Sequence, residues 1–219
     1  MMRKMQSTIK CFLVASLFAF VSCSDDDTPI TPASSTPDPD PITLAPEVEI
    51  YEADKIHNNL TLAVVNGSNN AFLVDKTGEK LHEFNFPSNL GNDLEILPNG
   101  KLLGIFKAEN PSIIFGGSAG IVRIMDLEGN IEWEYSLSTA DFILHHDVEM
   151  LPNGNILVLV WERIDETIAE SQGSTSPGDI YTEKLMEINP TTNSIVWEWR
   201  SFDHIIQDND PAFPNYGNI

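Results

Sequence analysis

Cysteine is almost missing from this chain, and basic residues are scarce. Only Cys11 and Cys23 occur in 219 residues, both near the start. Beyond them no thiol is left for a disulfide, a cysteine zinc site or a thiol nucleophile. Lys and Arg together number 12 against 33 Asp and Glu, giving a net charge of −21. Such a balance excludes nucleic acid, whose binding rests on Lys and Arg neutralising phosphates. It also opposes flat adsorption to anionic lipid, and it favours solubility. The apolar run from Cys11 to Val21 falls short of the about 20 residues a membrane span needs.

What is present begins with an export signal. Arg3, Lys4 and Lys10 precede that apolar run with no acid among them, the pattern of a secretory leader. Phe20-Val21-Ser22-Cys23 resembles a lipobox, so residues 1–22 are expected to be a lipoprotein signal peptide and Cys23 the lipidated residue. Ser24-Asp25-Asp26-Asp27 resembles the acidic tether that carries lipoproteins of Bacteroidetes-type bacteria to the outer face of the outer membrane. The expected location is the cell envelope, as a surface-exposed outer-membrane lipoprotein whose contact with the membrane is through the lipid. Residues 23–45 then form a linker. Five prolines between Pro29 and Pro41, with Ser34, Ser35, Asp38 and Asp40, cannot bury apolar area and favour extended, solvated backbone.

Residues 46–219 carry a repeat. Asp93-Leu-Glu-Ile-Leu-Pro-Asn-Gly100 recurs as Asp147-Val-Glu-Met-Leu-Pro-Asn-Gly154. Asn-Gly between alternating apolar runs predicts a hairpin, because a tight turn needs positive φ. A second hairpin follows each first one, at 121–135 and 184–199, and an earlier copy lies at 71–84. Ile131, Trp133 and Tyr135 alternate with Glu132 and Glu134, the mark of a half-buried strand. Two hairpins make four strands, the unit of a propeller blade. The expected fold is all-β, a β-propeller of four-stranded blades, with about three blades of an expected six at 47–86, 93–137 and 147–202. Helix is expected only around Asp165 to Gln172, inside a surface excursion from Arg163 to Tyr181. Three blades are fewer than a closed propeller uses, which points to a truncated product or the N-terminal portion of a longer propeller.

Leu90-Gly-Asn-Asp-Leu-Glu-Ile-Leu-Pro-Asn-Gly100, His145-His-Asp-Val-Glu-Met-Leu-Pro-Asn-Gly-Asn155 and Trp197-Glu-Trp-Arg-Ser-Phe-Asp-His-Ile-Ile-Gln-Asp208 are together similar to the bacterial aryl-sulfate sulfotransferase family, over roughly residues 46–219. The resemblance implies a six-bladed envelope propeller. It implies transfer of a sulfuryl group from a phenolic sulfate ester to a phenol acceptor, through a transiently sulfated histidine. Aryl sulfates and phenolic small molecules are the implied partners. That chemistry depends on positioning and on stabilising oxygen charge, and calls for no cofactor and no metal. The family's nucleophilic histidine is expected beyond Ile219, so a chain ending there is expected to be inactive. The rival reading is a non-catalytic surface propeller that binds a glycan or a protein.

The sulfate-binding candidates are His145, His146 and Arg163. The matching repeat has Gly91 and Asn92 where the histidines stand, which gives the pair a special role. Arg163 and Arg123 suit ion pairs better than sulfate, and His57, His82 and His204 read as ordinary loop or surface residues. Asp93, Glu95, Asp147 and Glu149 allow glycosidase or calcium chemistry, but their recurrence favours a structural role. The glycine-rich stretch 115–120 lacks the Lys-Ser/Thr of a phosphate loop and reads as a connection between hairpins.

Overall fold

The computed structural model describes residues 42–208 and 210–217. The leader, Cys23 and the linker as far as Pro41 lie outside the described residues. Among the described residues, eleven antiparallel strands build three sheets. The first holds β1 (Thr61–Val64), β2 (Asn70–Val74) and β3 (Lys80–Asn85). The second holds β4 (Leu90–Ile96), β5 (Leu102–Lys107), β6 (Gly120–Met125) and β7 (Ile131–Ser136). The third holds β8 (Phe142–Met150), β9 (Ile156–Ile164), β10 (Ile180–Asn189) and β11 (Ser194–Arg200). Within each sheet the strands follow chain order, as in the meander of a propeller blade.

The turns form as their residues dictate. In both Leu-Pro-Asn-Gly segments the glycine takes the positive φ, +81° at Gly100 and +82° at Gly154. The preceding asparagine side chains cap the next strand: Asn99 Oδ1 accepts from the Lys101 amide and Asn153 Oδ1 from the Asn155 amide, each at 3.0 Å. Two of the second hairpins turn on aspartate instead, and β10–β11 turns on Asn189, whose Oδ1 accepts from the Thr191 amide at 2.9 Å. Asp126 Oδ1 accepts from the Asn130 amide at 2.8 Å, and Asp75 Oδ1 from the Thr77 amide at 2.8 Å. The excursion between β9 and β10 carries one helical turn and a half, α1 (Glu166–Ser171), capped by Asp165 accepting from the Thr167 amide.

Two differences from the sequence expectation matter. The first sheet has three strands, not four. Its hairpin β2–β3 matches β6–β7 and β10–β11, so the counterpart of β4 and β8 is the strand it does without among the described residues. Residues 53–59, with Asp54, Lys55, His57, Asn58 and Asn59, offer no alternating apolar face and form turns and bends. The inner strands also begin early, β4 at Leu90 and β8 at Phe142. Apolar residues ahead of each acidic motif extend the ladder, across register breaks between Leu90 and Leu94 and between His145 and Val148.

The three sheets stack with the second in the middle. One of its faces meets the first sheet through Leu90, Leu94, Leu102, Phe106 and Met125, packed with Ala71, Phe84 and Phe86. Its other face sends Leu103, Ile105, Val122 and Ile124 against Leu144, Val148, Ile156, Val158, Val160, Met186 and Ile188 of the third sheet. Arg123 belongs to this packing: it donates to Glu134 at 2.8 Å and to Ser88 at 2.5 Å, and lies 4.9 Å from the Phe106 ring centre. Phe106 is fully buried and meets Phe86 edge-on at 5.4 Å. Phe106→Ala should therefore lower unfolding free energy by about 3–5 kcal/mol, measured by chemical denaturation.

Candidate functional site

The site begins with a fault in a strand. Successive side chains of a regular strand point to opposite faces. At the register break in β8, His146 takes φ +54°, a left-handed value that few non-glycine residues adopt. The two histidines are thereby turned toward each other. Their Nδ1 atoms lie 2.8 Å apart, and the rings meet edge to face at 5.1 Å and 84°. Their exposure differs sharply: His145 is 1% exposed, while His146 is open to solvent.

Three elements hold His145. Trp161 of β9 stacks on its ring at 4.5 Å and 17°. Glu183 of β10 brings Oε2 to 2.8 Å from Nε2. Neither buried atom has a hydrogen bond, although the rest of the Glu183 side chain is half-exposed. Ser118 of the glycine-rich loop bridges His145 in antiparallel fashion.

That loop is more than a connection between hairpins. It crosses from the second sheet to the third and closes over the site. Trp161 Nε1 donates to the Gly116 carbonyl at 2.8 Å, and the His146 amide donates to the Gly117 carbonyl at 3.3 Å. Both glycines sit at positive φ, +50° and +65°. A Cβ on Gly116 would come within 2.9 Å of the Trp161 ring, and one on Gly117 would overlap Nε2, Cε1 and Cδ2 of His146. Phe115 adds an aromatic wall, 5.6 Å from Trp161 and 4.7 Å from Tyr181 between ring centres.

Burial drives the His145 imidazole down to about 4, with the neighbouring His146 adding to the effect and a backbone hydrogen bond at Val160 opposing it. Desolvation pushes Glu183 above the usual carboxylate range, against the pull of His146. The repeated acids lie on the same inner strands. The Val148 amide donates to Asp147 Oδ1 at 3.1 Å and to Asp93 Oδ2 at 3.4 Å, so Asp93 ties one blade to the next. Desolvation, with Asp147 nearby, pushes Asp93 up. Desolvation, with Glu149 nearby, does the same to Glu95.

The structure thus brings His145 and His146 together and engages Arg163 elsewhere. The Arg163 guanidinium donates to Asp141 at 2.9 and 2.5 Å and to Asp179 at 2.7 Å. His204 stacks on Trp199 at 5.0 Å, and His82 meets Phe84 edge-on. Trp161, Glu183 and the Gly116–Gly117 pair were not singled out as site residues from the sequence. The signal for the glycines was the run itself. Trp161 and Glu183 are register partners across β9 and β10, and nothing local marks them.

His145 is neutral in the fold and titrates near its ordinary value of 6.5 when unfolded. The unfolded chain therefore takes up the proton first as pH falls. The contribution of His145 is complete above that value and is lost toward about 4, at about 1.4 kcal/mol per pH unit. Asp93, Glu95 and Glu183, shifted upward, work in the opposite sense. The check is therefore a difference: the stability gap between wild type and His145→Asn should narrow steadily from neutral pH to about pH 4, by denaturant unfolding.

A search of curated proteins found no significant match. Among solved structures, a protein of unknown function from Bacteroides caccae is similar at 15% identity and a TM-score of 0.39, covering 64% of this chain and 39% of that one. The chain thus spans well under half the length of that structure. The family profile described as Arylsulfotransferase (ASST) matches residues 47–214, nearly the whole folded stretch, and the chain belongs to the arylsulfotransferase family.

Proposed function

We propose that this chain supplies a sulfuryl-binding element for transfer of a sulfuryl group from a phenolic sulfate ester to a phenol, with His146 as the group that meets the sulfuryl oxygens. The observation that carries the reading is the division of labour in the histidine pair. One ring is buried and stacked, and the other is exposed beside it at a strained backbone position. A protonated imidazole donates a charge-assisted hydrogen bond to an anionic oxygen. Phe115, Trp161 and Tyr181 offer an apolar surface next to it for an aryl ring. In the family's reaction a histidine carries the sulfuryl group covalently between donor and acceptor. The role proposed for His146 is to bind and orient that group.

The test is binding, followed by turnover. Titration with 4-nitrophenyl sulfate should shift the His146 ring resonances and leave those of His82 unmoved. His146→Ala should remove saturable binding while the melting temperature stays close to wild type. A wild-type chain whose His146 signals do not respond to the ester would sink the reading. Release of 4-nitrophenol with a phenol acceptor present then reports whether the chain turns over.

The proposal extends to location: the chain works in the cell envelope, held at the outer membrane through lipid on Cys23. It is supported by the basic leader, the short apolar run, Ser22 before Cys23, and the acids Asp25 to Asp27. Cys23→Ser should abolish incorporation of a labelled fatty acid and move the protein from the membrane fraction to the soluble one. Labelling that persists in the variant would refute the anchor.

A further inference from the structure

We infer that Glu183 is a positioning residue for His146, acting through His145. For its functional meaning this rests on the reading of His146 as the sulfuryl-binding group. The structural part stands on its own geometry.

Two imidazoles whose Nδ1 atoms are 2.8 Å apart share one proton between those atoms. A neutral imidazole has one N–H and one lone pair, so the pair has two arrangements. In the first, His146 Nδ1–H donates to His145 Nδ1. His145 then carries its proton on Nε2, and His146 presents an unprotonated Nε2 beside Gly117. In the second, His145 Nδ1–H donates to His146 Nδ1. His145 then turns an Nε2 lone pair toward its other neighbour, and His146 carries its proton on Nε2.

The other neighbour decides between them. Nε2 of His145 is buried and lacks a hydrogen bond, and among the described residues the carboxylate oxygen in ion-pair range of it is Glu183 Oε2, at 2.8 Å. Lone pair facing carboxylate is repulsive. N–H facing carboxylate is attractive, and becomes a charge-assisted hydrogen bond once the carboxylate swings into line. Glu183 therefore selects the first arrangement. Its consequence falls on His146: Nδ1–H is committed inward, and Nε2 is the nitrogen left to gain a proton. When it does, the charge is balanced through His145 by Glu183, and Nε2–H becomes the donor a sulfuryl oxygen needs. The pattern is that of an orienting carboxylate fixing one ring nitrogen so that the other does the chemistry.

A rival lies close by. The Val160 backbone also favours the protonated form of the His145 ring, and it remains in any side-chain variant of position 183. The experiment therefore compares Glu183→Met, similar in length without an acceptor oxygen, with Glu183→Gln, which keeps one. Long-range proton–nitrogen correlation of the uniformly labelled full chain at neutral pH, without ligand, reads each ring's tautomer directly. Wild type should show His145 protonated on Nε2 and His146 on Nδ1. Glu183→Gln should keep that pattern, and Glu183→Met should lose it on both rings, giving averaged nitrogen shifts. The half-exposed side chain makes both variants tolerable to the fold, and far-UV circular dichroism checks this.

Retention of the wild-type pattern in Glu183→Met would overturn the inference. Equal loss in both variants would overturn it in favour of plain packing. Because no sulfate is present, this result is independent of the 4-nitrophenyl sulfate titration. An unresponsive His146 in that titration with an intact tautomer pattern would remove the sulfuryl reading and leave the Glu183 role in place.

Discussion

A strand covered on both faces cannot alternate apolar with polar, and β5 is such a strand. Leu102 to Phe106 are buried without a break, with Gly104 at the centre. Leu102 and Phe106 face the first sheet, and Leu103 and Ile105 face the third. The rest of the structure hangs on this double burial. It fixes the spacing and order of the three sheets, and so places β4 beside β8, where Asp93 can reach the Val148 amide. It also holds the end of β5 where the following loop can cross to β8 and β9. Gly104 fits the same constraint: a Cβ there would come within 2.7 Å of Leu94.

The site follows from what β8 does next to that packed layer. Ahead of the register break, Leu144 faces the inter-sheet core. After it, Val148 resumes the same role. His145 stays paired with Leu159, and the break that follows frees His146 and Asp147 from the ladder, so one histidine stacks inward and the other is left out. A β-bulge commonly re-aims a side chain in this way near functional sites. The glycine loop completes the arrangement because it has no side chains where the Trp161 and His146 rings lie.

Much of the fold was legible in the sequence because its signals are local. Pro-Asn-Gly marks two turns, period-2 alternation marks β7, and the copied Asp-x-Glu motif marks the inner strands. The blade starts were not, since the strand-forming residues before each motif include a glycine in one repeat and histidines in the other. Of the site, the histidine pair was legible as a departure between matching repeats. Its partners were not. Glu183 faces Trp161 only through the β9–β10 register, which a long excursion separates in sequence. Whether a glycine run turns back within its own blade or caps the next is decided by tertiary packing, which local propensity does not encode.

The acidity of the chain sharpens what an anion would meet here. Arg123, Arg163, Lys184 and Arg200 are each paired with a carboxylate: Glu134, Asp141 and Asp179, Glu198, and Glu162 and Asp203. Cations held that way offer little to an incoming sulfate. Burial pushes Asp93, Glu95 and Glu183 upward from the ordinary carboxylate values. Burial also favours the neutral form of His145. The same desolvation thus disfavours charge on His145 and on these acids, while the His146 ring stays open to solvent.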